Sequence, residues 1–166
     1  RAMRPGMPVV ARMGNGKYIM AYEIVGKPDC DIYFKLSDDG IFWGDPALEG
    51  TLAATKSGLH LGSMPYVLWV PQGGENGTVI LSAKREGEHL GMRDPGFYHV
   101  NYNYGQGEWH RIPMLITYNT DNLQAGWSMG MARLGKDRLI QLAPTPMNGR
   151  LMQITYGIGR LETVGE

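Results

Sequence analysis

The stretch GKYIMAYEIVGKPDCDIYFKLSDDG, residues 16–40, decides the fold. Its two apolar runs, KYIMAYEIV and DIYFKL, are rich in β-branched and aromatic residues, and they are closed off by Gly and Asp clusters, as two short strands joined by a turn would be. The same rhythm extends in both directions. PVVARM, PYVLWV, TVILSAK, FYHVNY, MGMARL, RLIQLA and LMQITYG are further runs of this kind, separated by GNG, GGENG, GQG, GKD and NGR turns. No segment combines a helical period with a capping residue and adequate length, so the chain is expected to be all-β.

Bulk properties narrow the function classes. A chain of 166 residues with 43% hydrophobic residues can bury the core of one domain, 1–166. Its formal net charge is zero, so no basic field exists to neutralise a phosphate backbone; nucleic acid is not an expected partner. No apolar run approaches membrane-spanning length, and RAMRPGMPVV lacks the layout of a signal peptide; a membrane is not expected either. The single cysteine, Cys30, excludes an internal disulfide framework. The four histidines, His60, His89, His99 and His110, have no paired metal spacing, so neither a metal nor any other cofactor is expected.

The strands repeat at a long period. Gly6-Met7-Pro8 opens one strand and Ser63-Met64-Pro65 another, while Gly16-Lys17-Tyr18, Gly77-Thr78-Val79 and Asp137-Arg138-Leu139 start second strands at roughly sixty-residue spacing. Three units follow, at about 1–57, 58–109 and 110–166. Radially repeated small antiparallel sheets are the pattern of a β-propeller, with a β-sandwich of similar strand count as the alternative. Three blades cannot close a ring by themselves, because the outer ones would leave apolar faces and strand edges in water. Either N-terminal blades are missing from the chain or two copies join as a homodimer.

Ser37-Asp38-Asp39-Gly40-Ile41-Phe42-Trp43 resembles the Asp-box of sialidase-superfamily (BNR) propellers, with one residue fewer before the Trp and Phe42 where Thr is usual. In such a box the Asp accepts backbone hydrogen bonds and the Trp packs beneath, so Ser37, Asp39, Gly40 and Trp43 are expected to be structural. More widely, RPGMP, the Tyr22-Glu23 strand end and PQGGENGT are similar to the C-terminal half of glycoside hydrolase family 93 propellers. That resemblance implies half of a six-bladed β-propeller, exo-acting arabinanase chemistry, a carbohydrate partner and a secreted or extracellular setting.

Glycosidases of this kind work with two carboxylates, about 5–5.5 Å apart when the nucleophile is one of them and about 6.5–9.5 Å apart when a water must fit between. Glu23 ends an apolar run at a point where the resemblance places a catalytic carboxylate, and it is the catalytic candidate. A strand residue ion-paired with Arg4 or Lys35 is the alternative reading. Arg4, Tyr22 and Trp127 are candidates for binding substrate, Trp127 through stacking on a sugar face. The resemblance implies that the other catalytic acid belongs to an N-terminal half outside this chain; Asp94, Asp121 and Glu75 are the remaining carboxylates, with no supporting motif. Arg111-Ile112-Pro113 is similar to the Arg-Ile-Pro motif of sialidases but lies far from its usual place in the first blade, and Trp127-Ser128 stands where related propellers have Tyr-Ser, which argues against sialic acid. The expected function is a glycosidase, or a piece of one, acting on arabinan-type plant polysaccharide. A non-catalytic carbohydrate-binding or structural half-propeller is the other reading.

Overall fold

A computed structural model describes residues 3–27, 30–88, 96–117, 129–148 and 151–162. Among these the chain contains thirteen strands and no helix. Strands β1 (Arg4–Arg12), β2 (Tyr18–Val25), β3 (Ile32–Ser37) and β4 (Thr51–Leu52) form the first sheet in sequence order. After a short β5 (His60–Gly62) come β6 (Tyr66–Val70), β7 (Thr78–Ser82), a short β8 (Arg85–Gly87), β9 (Phe97–Asn101) and β10 (His110–Pro113). The second sheet has the order β10-β9-β7-β6, and β5 pairs with β8 beside it. β11 (Gly130–Leu134), β12 (Arg138–Asn148) and β13 (Leu151–Arg160) make the third. All of these pairings are antiparallel.

The nine runs read from the sequence are β1, β2, β3, β6, β7, β9, β11, β12 and β13. The others, β4, β5, β8 and β10, are two to four residues long, too short to show a period of two. The second sheet runs through Pro113, since β10 pairs with β9 from His110↔Val100 to Pro113↔Phe97.

The sheets stack as propeller blades do. The first strands β1 and β11 both pack against β6, so the leading strands of successive sheets lie side by side. Alternation along each strand sends residues to opposite faces, and each buried face finds a neighbouring sheet. Ile19, Ala21, Ile32 and Phe34 of the first sheet pack with Val67, Val79 and Leu81 of the second. The opposite side of the second sheet, with Val70, Ile80, Tyr98 and Val100, packs on Met131, Leu139 and Ala143 of the third.

Trp69 joins the first of these cores, and its indole N–H donates to the Asn76 carbonyl at 3.1 Å. The ring lies over Gly77, whose φ is +66° and whose added Cβ would stand 2.4 Å from the Val70 carbonyl oxygen and 2.7 Å from the Trp69 ring. Gly77→Ala is therefore expected to destabilise the chain by about 1–3 kcal/mol, measured by urea unfolding. A change within about 0.5 kcal/mol, the range of ordinary surface substitutions, would show that the turn relaxes freely.

Candidate functional site

Glu23 lies at the C-terminal end of β2, on the face that carries Ile19 and Ala21 into the core between the first two sheets. It is only 8% exposed. A carboxylate removed from water in this way requires hydrogen bonds, and a backbone donor supplies one: the Met64 N–H gives a 2.9 Å bond to Glu23 Oε2. The opposing position on β1 is Gly6. A Cβ there would come within 3.2 Å of Glu23 Oε1 and 3.4 Å of Arg4 Nη1, so a glycine leaves room for the carboxylate to lie across the β1 backbone.

The donor is held by an unusual turn. Ser63 and Met64 both have left-handed backbones, with φ of 61° and 54°, just ahead of Pro65. Such residues persist only where the surroundings hold them. Here the Ser63 N–H donates to the Cys30 carbonyl at 3.0 Å, and the Ser63 carbonyl accepts from the Lys84 N–H at 2.9 Å. The sequence-equivalent Gly6-Met7-Pro8 repeats the feature: Met7 has φ of 49° and lies in a register shift between Gly6 and Val9. The repeated motif is thus a bent strand start, and its second copy aims an amide at Glu23.

Of the other expected site residues, Arg4, Tyr22 and Trp43 border one cavity, and the Arg4 guanidinium also reaches the Gly6 position opposite Glu23. Tyr22 points to the opposite face of the sheet, where its hydroxyl donates to the Glu49 carbonyl. Burial pushes its pKa up, and the charge of Glu49 and the neighbouring Tyr33 add to the rise. Arg4 is exposed at the start of β1, opposite Val25. The alternative partner for Glu23, Lys35, is engaged by the Asp45 carbonyl at 2.8 Å. Trp127, Asp94 and Asp121 lie outside the described residues. Glu75 is exposed in the turn after β6, whereas Met64 precedes that strand, so it sits at the other end of β6 from Glu23.

Ser37, Asp39 and Gly40 form a tight turn. Asp39 Oδ1 accepts from the amides of Ile41 at 2.8 Å and Phe42 at 2.9 Å, and Ser37 Oγ accepts from the Gly40 amide at 2.9 Å. The two backbone bonds from Phe42 and Ile41 lower the Asp39 pKa. Trp43 borders a cavity of about 570 Å³ on the outer face of the first sheet, together with Met20, Tyr22, Ile24, Lys35 and Leu48.

Sequence reasoning did not single out a second buried ionic group. Glu86 accepts hydrogen bonds from Arg111 Nε and Nη2, both at 2.7 Å, and lies 2.8 Å from His99 Nε2. Burial alone would raise the Glu86 pKa; the bonds from His99 and Arg111 and the guanidinium charge outweigh it and bring it down to about 2. The Arg111 guanidinium also stacks on Phe97, 3.8 Å from the ring centroid. Its bidentate partner is this carboxylate within the fold, so the likeness of Arg111-Ile112-Pro113 to a substrate-binding sialidase motif has no geometric support. Asp31 and His60, both buried, stand 3.3 Å apart near the same β5–β8 pair. Among the described residues no group of three or more His, Cys, Asp or Glu is arranged to hold a metal ion. None of the described segments is a helix long and apolar enough to cross a membrane.

Antiparallel sheets stacked with their first strands adjacent define part of a β-propeller. In comparison with solved structures the chain is similar to an alpha-L-arabinanase and to an alpha-L-arabinofuranosidase described as GH93. It matches the Penicillium chrysogenum alpha-L-arabinanase complexed with arabinobiose at 27% identity and TM-score 0.75, over 96% of this chain and 42% of that one. The Fusarium graminearum alpha-L-arabinofuranosidase in complex with an iminosugar inhibitor matches at 23% identity and TM-score 0.73, over 96% and 43%. The same Fusarium enzyme with arabinobiose, described as GH93, matches at 22% identity and TM-score 0.70. The chain therefore spans about two-fifths of the length of these neighbours. No family profile and no curated protein sequence matches it.

Proposed function

We propose that this chain is the half of an extracellular glycoside-hydrolase propeller that contributes one catalytic carboxylate, Glu23, to the cleavage of arabinan-type polysaccharide. The observation that carries the proposal is the placement of Glu23. It is a buried carboxylate at a strand end, fixed by a backbone amide from the next sheet, in a fold shared with an arabinanase that binds arabinobiose. Burying a carboxylate is costly and here is offset by the Met64 amide, a cost met more often at functional sites than at ordinary strand ends. Fixing the carboxylate from the protein backbone limits its rotation, as positioning of a catalytic group requires. Arg4, beside Gly6 at the same strand end, and Trp127 are the proposed substrate contacts; Tyr22 faces away from Glu23, and its proposed part is restricted to the cavity on the outer face.

A second reading has its own observation. The chain spans two-fifths of its neighbours and offers one carboxylate where the reaction needs two, which suits a sugar-binding or structural half-propeller without chemistry. The two readings separate in one experiment, in which the chain is incubated with linear arabinan oligosaccharides and titrated with arabinobiose. Released sugar is the expected result if the catalytic set is complete in the assembled protein. Saturable binding without release supports the sugar-binding form of the second reading, and neither binding nor release leaves only its structural form.

A further inference from the structure

Arg4, Gly6 and Glu23 share one face of the first sheet. Gly6 is the register partner of Glu23, and Arg4, two residues before it on β1, lies on the same side of the pleat. A Cβ built on Gly6 would stand 3.2 Å from Glu23 Oε1 and 3.4 Å from Arg4 Nη1, so the carboxylate and the guanidinium converge on the space that a side chain would take. They do not meet there. Among the described residues the one hydrogen bond accepted by Glu23 is that from the Met64 amide to Oε2, and Arg4 enters no ion pair.

The backbone does not account for a glycine at this position. Gly6 is not among the left-handed glycines of the described residues, and in the second copy of the motif the equivalent place is taken by Ser63. What the glycine supplies is room for another group to approach the strand. On either side of that room stand groups of opposite demand, since a guanidinium only donates hydrogen bonds and a carboxylate only accepts them. The smallest group that serves both at once is a hydroxyl, which takes the Arg4 N–H on a lone pair while donating its own O–H to Glu23. Hydrogen bonds of these kinds span about 2.5–3.2 Å, close to the distance of either group from the Cβ position.

We propose that Arg4, Gly6 and Glu23 form a slot for one hydroxyl of a sugar: the hydroxyl oxygen accepts from Arg4 Nη1, its proton is donated to Glu23 Oε1, and Gly6 admits it by having no side chain. The slot rests on the carbohydrate reading given above but not on cleavage, because a sugar held without hydrolysis uses it equally. It selects ligands that present an unsubstituted hydroxyl to the start of β1. An ether or ester oxygen at the same place has no proton for Glu23 and leaves the carboxylate unsatisfied. Gly6 is thus a specificity-determining residue, and the Met64 amide, by holding Oε2, fixes the side of the carboxylate that faces the slot.

The test is calorimetric titration of arabinobiose into the wild-type chain, Gly6→Ala, Arg4→Met and the double variant. Wild type is expected to bind saturably. The methyl of Gly6→Ala fills the slot and Arg4→Met removes its donor, so each is expected to weaken binding about tenfold or more, as loss of hydrogen bonds to charged partners does. Arg4 is exposed and Gly6 needs no left-handed backbone, so the circular dichroism spectrum should be kept and the unfolding temperature should move by less than about 3 °C in both. Because the two changes destroy one contact, the double variant should bind within about twofold of Gly6→Ala alone. Wild-type affinity in either single variant overturns the slot and leaves the carbohydrate reading in place; so do losses that add in the double variant, which would mark two separate contacts. A Gly6→Ala chain that does not fold overturns the role given to Gly6, and Arg4→Met then decides the rest. A wild type that binds no arabinobiose overturns the slot and the carbohydrate reading together.

Discussion

Glu23→Gln is expected to lower arabinan hydrolysis by about 10²–10⁴-fold, the range for loss of a positioned proton-transferring group, while leaving the fold intact. The amide has nearly the shape of the carboxylate, and its oxygen can still accept from the Met64 N–H, which now holds Glu23 Oε2 at 2.9 Å. Folding should therefore change by less than the cost of an unmade hydrogen bond, about 1 kcal/mol. The loss should fall on kcat rather than KM, because the group acts in the transition state. Turnover within a few-fold of wild type would remove Glu23 from the chemistry and leave it as a packing residue. Equal loss of activity and of thermal stability would show that the carboxylate holds the two sheets together more than it acts on substrate.

The largest stability effect is expected at Arg111. Replacing it by Met removes both 2.7 Å bonds to Glu86 and leaves a carboxylate that is 7% exposed beside His99 alone. Breaking a fully buried pair from one side costs about 3–5 kcal/mol; the Arg111 side chain is 33% exposed, so the loss should lie at the lower end, about 3 kcal/mol, which for a chain of this size is a fall in Tm of about 6–12 °C. Combining it with Glu86→Gln should recover part of the loss, since the stranded charge goes too. Acid should act on the wild type in the same way. The folded Glu86 pKa, about 2, is below the ordinary value of 4.5, so its contribution is complete above pH 4.5 and is lost as pH falls toward 2. Arg111→Met should flatten that part of the stability profile. A Tm change of less than about 2 °C in the single variant would mean that the pair is solvated and of little consequence.

The longer strands were legible because they are runs rich in β-branched and aromatic residues between turn residues; which face each side chain takes was not, since Ile19, Met20, Ala21 and Tyr22 are all apolar and the strand is buried on both sides toward its end. Four short strands were not, because a segment such as Thr51–Leu52 has too few residues for any period to emerge. Glu23 could be picked out as a carboxylate closing an apolar run. Its partner could not, since Met64 is brought there by packing between two sheets rather than by local pattern. The Glu86, His99 and Arg111 group was illegible for a related reason. His99 and Arg111 become neighbours through the pairing of β9 with β10, and Glu86 reaches them from β8, which pairs with another sheet altogether. The Asp39 turn was readable, because its bonds run between residues two and three apart. What lies beneath Trp43 was not, since the cavity it borders is formed only when the 43–49 loop folds back over β1 and β2.

The hydrogen bond between Met64 and Glu23 joins residues 41 apart in the chain, and this sets an order of events during synthesis. The first and third sheets are each drawn from one uninterrupted stretch, and the second is broken only by β8, so their strands pair with small loops to close and little delay. As the chain leaves the ribosome from its N-terminus, the first sheet emerges before residue 64 does. Until then the Glu23 carboxylate has no amide to hold it and can stay hydrated. Only when the second sheet begins, and its bent Ser63-Met64 start swings into place, is the carboxylate drawn out of water. The most costly group in the site is thus buried late, at the moment its partner arrives.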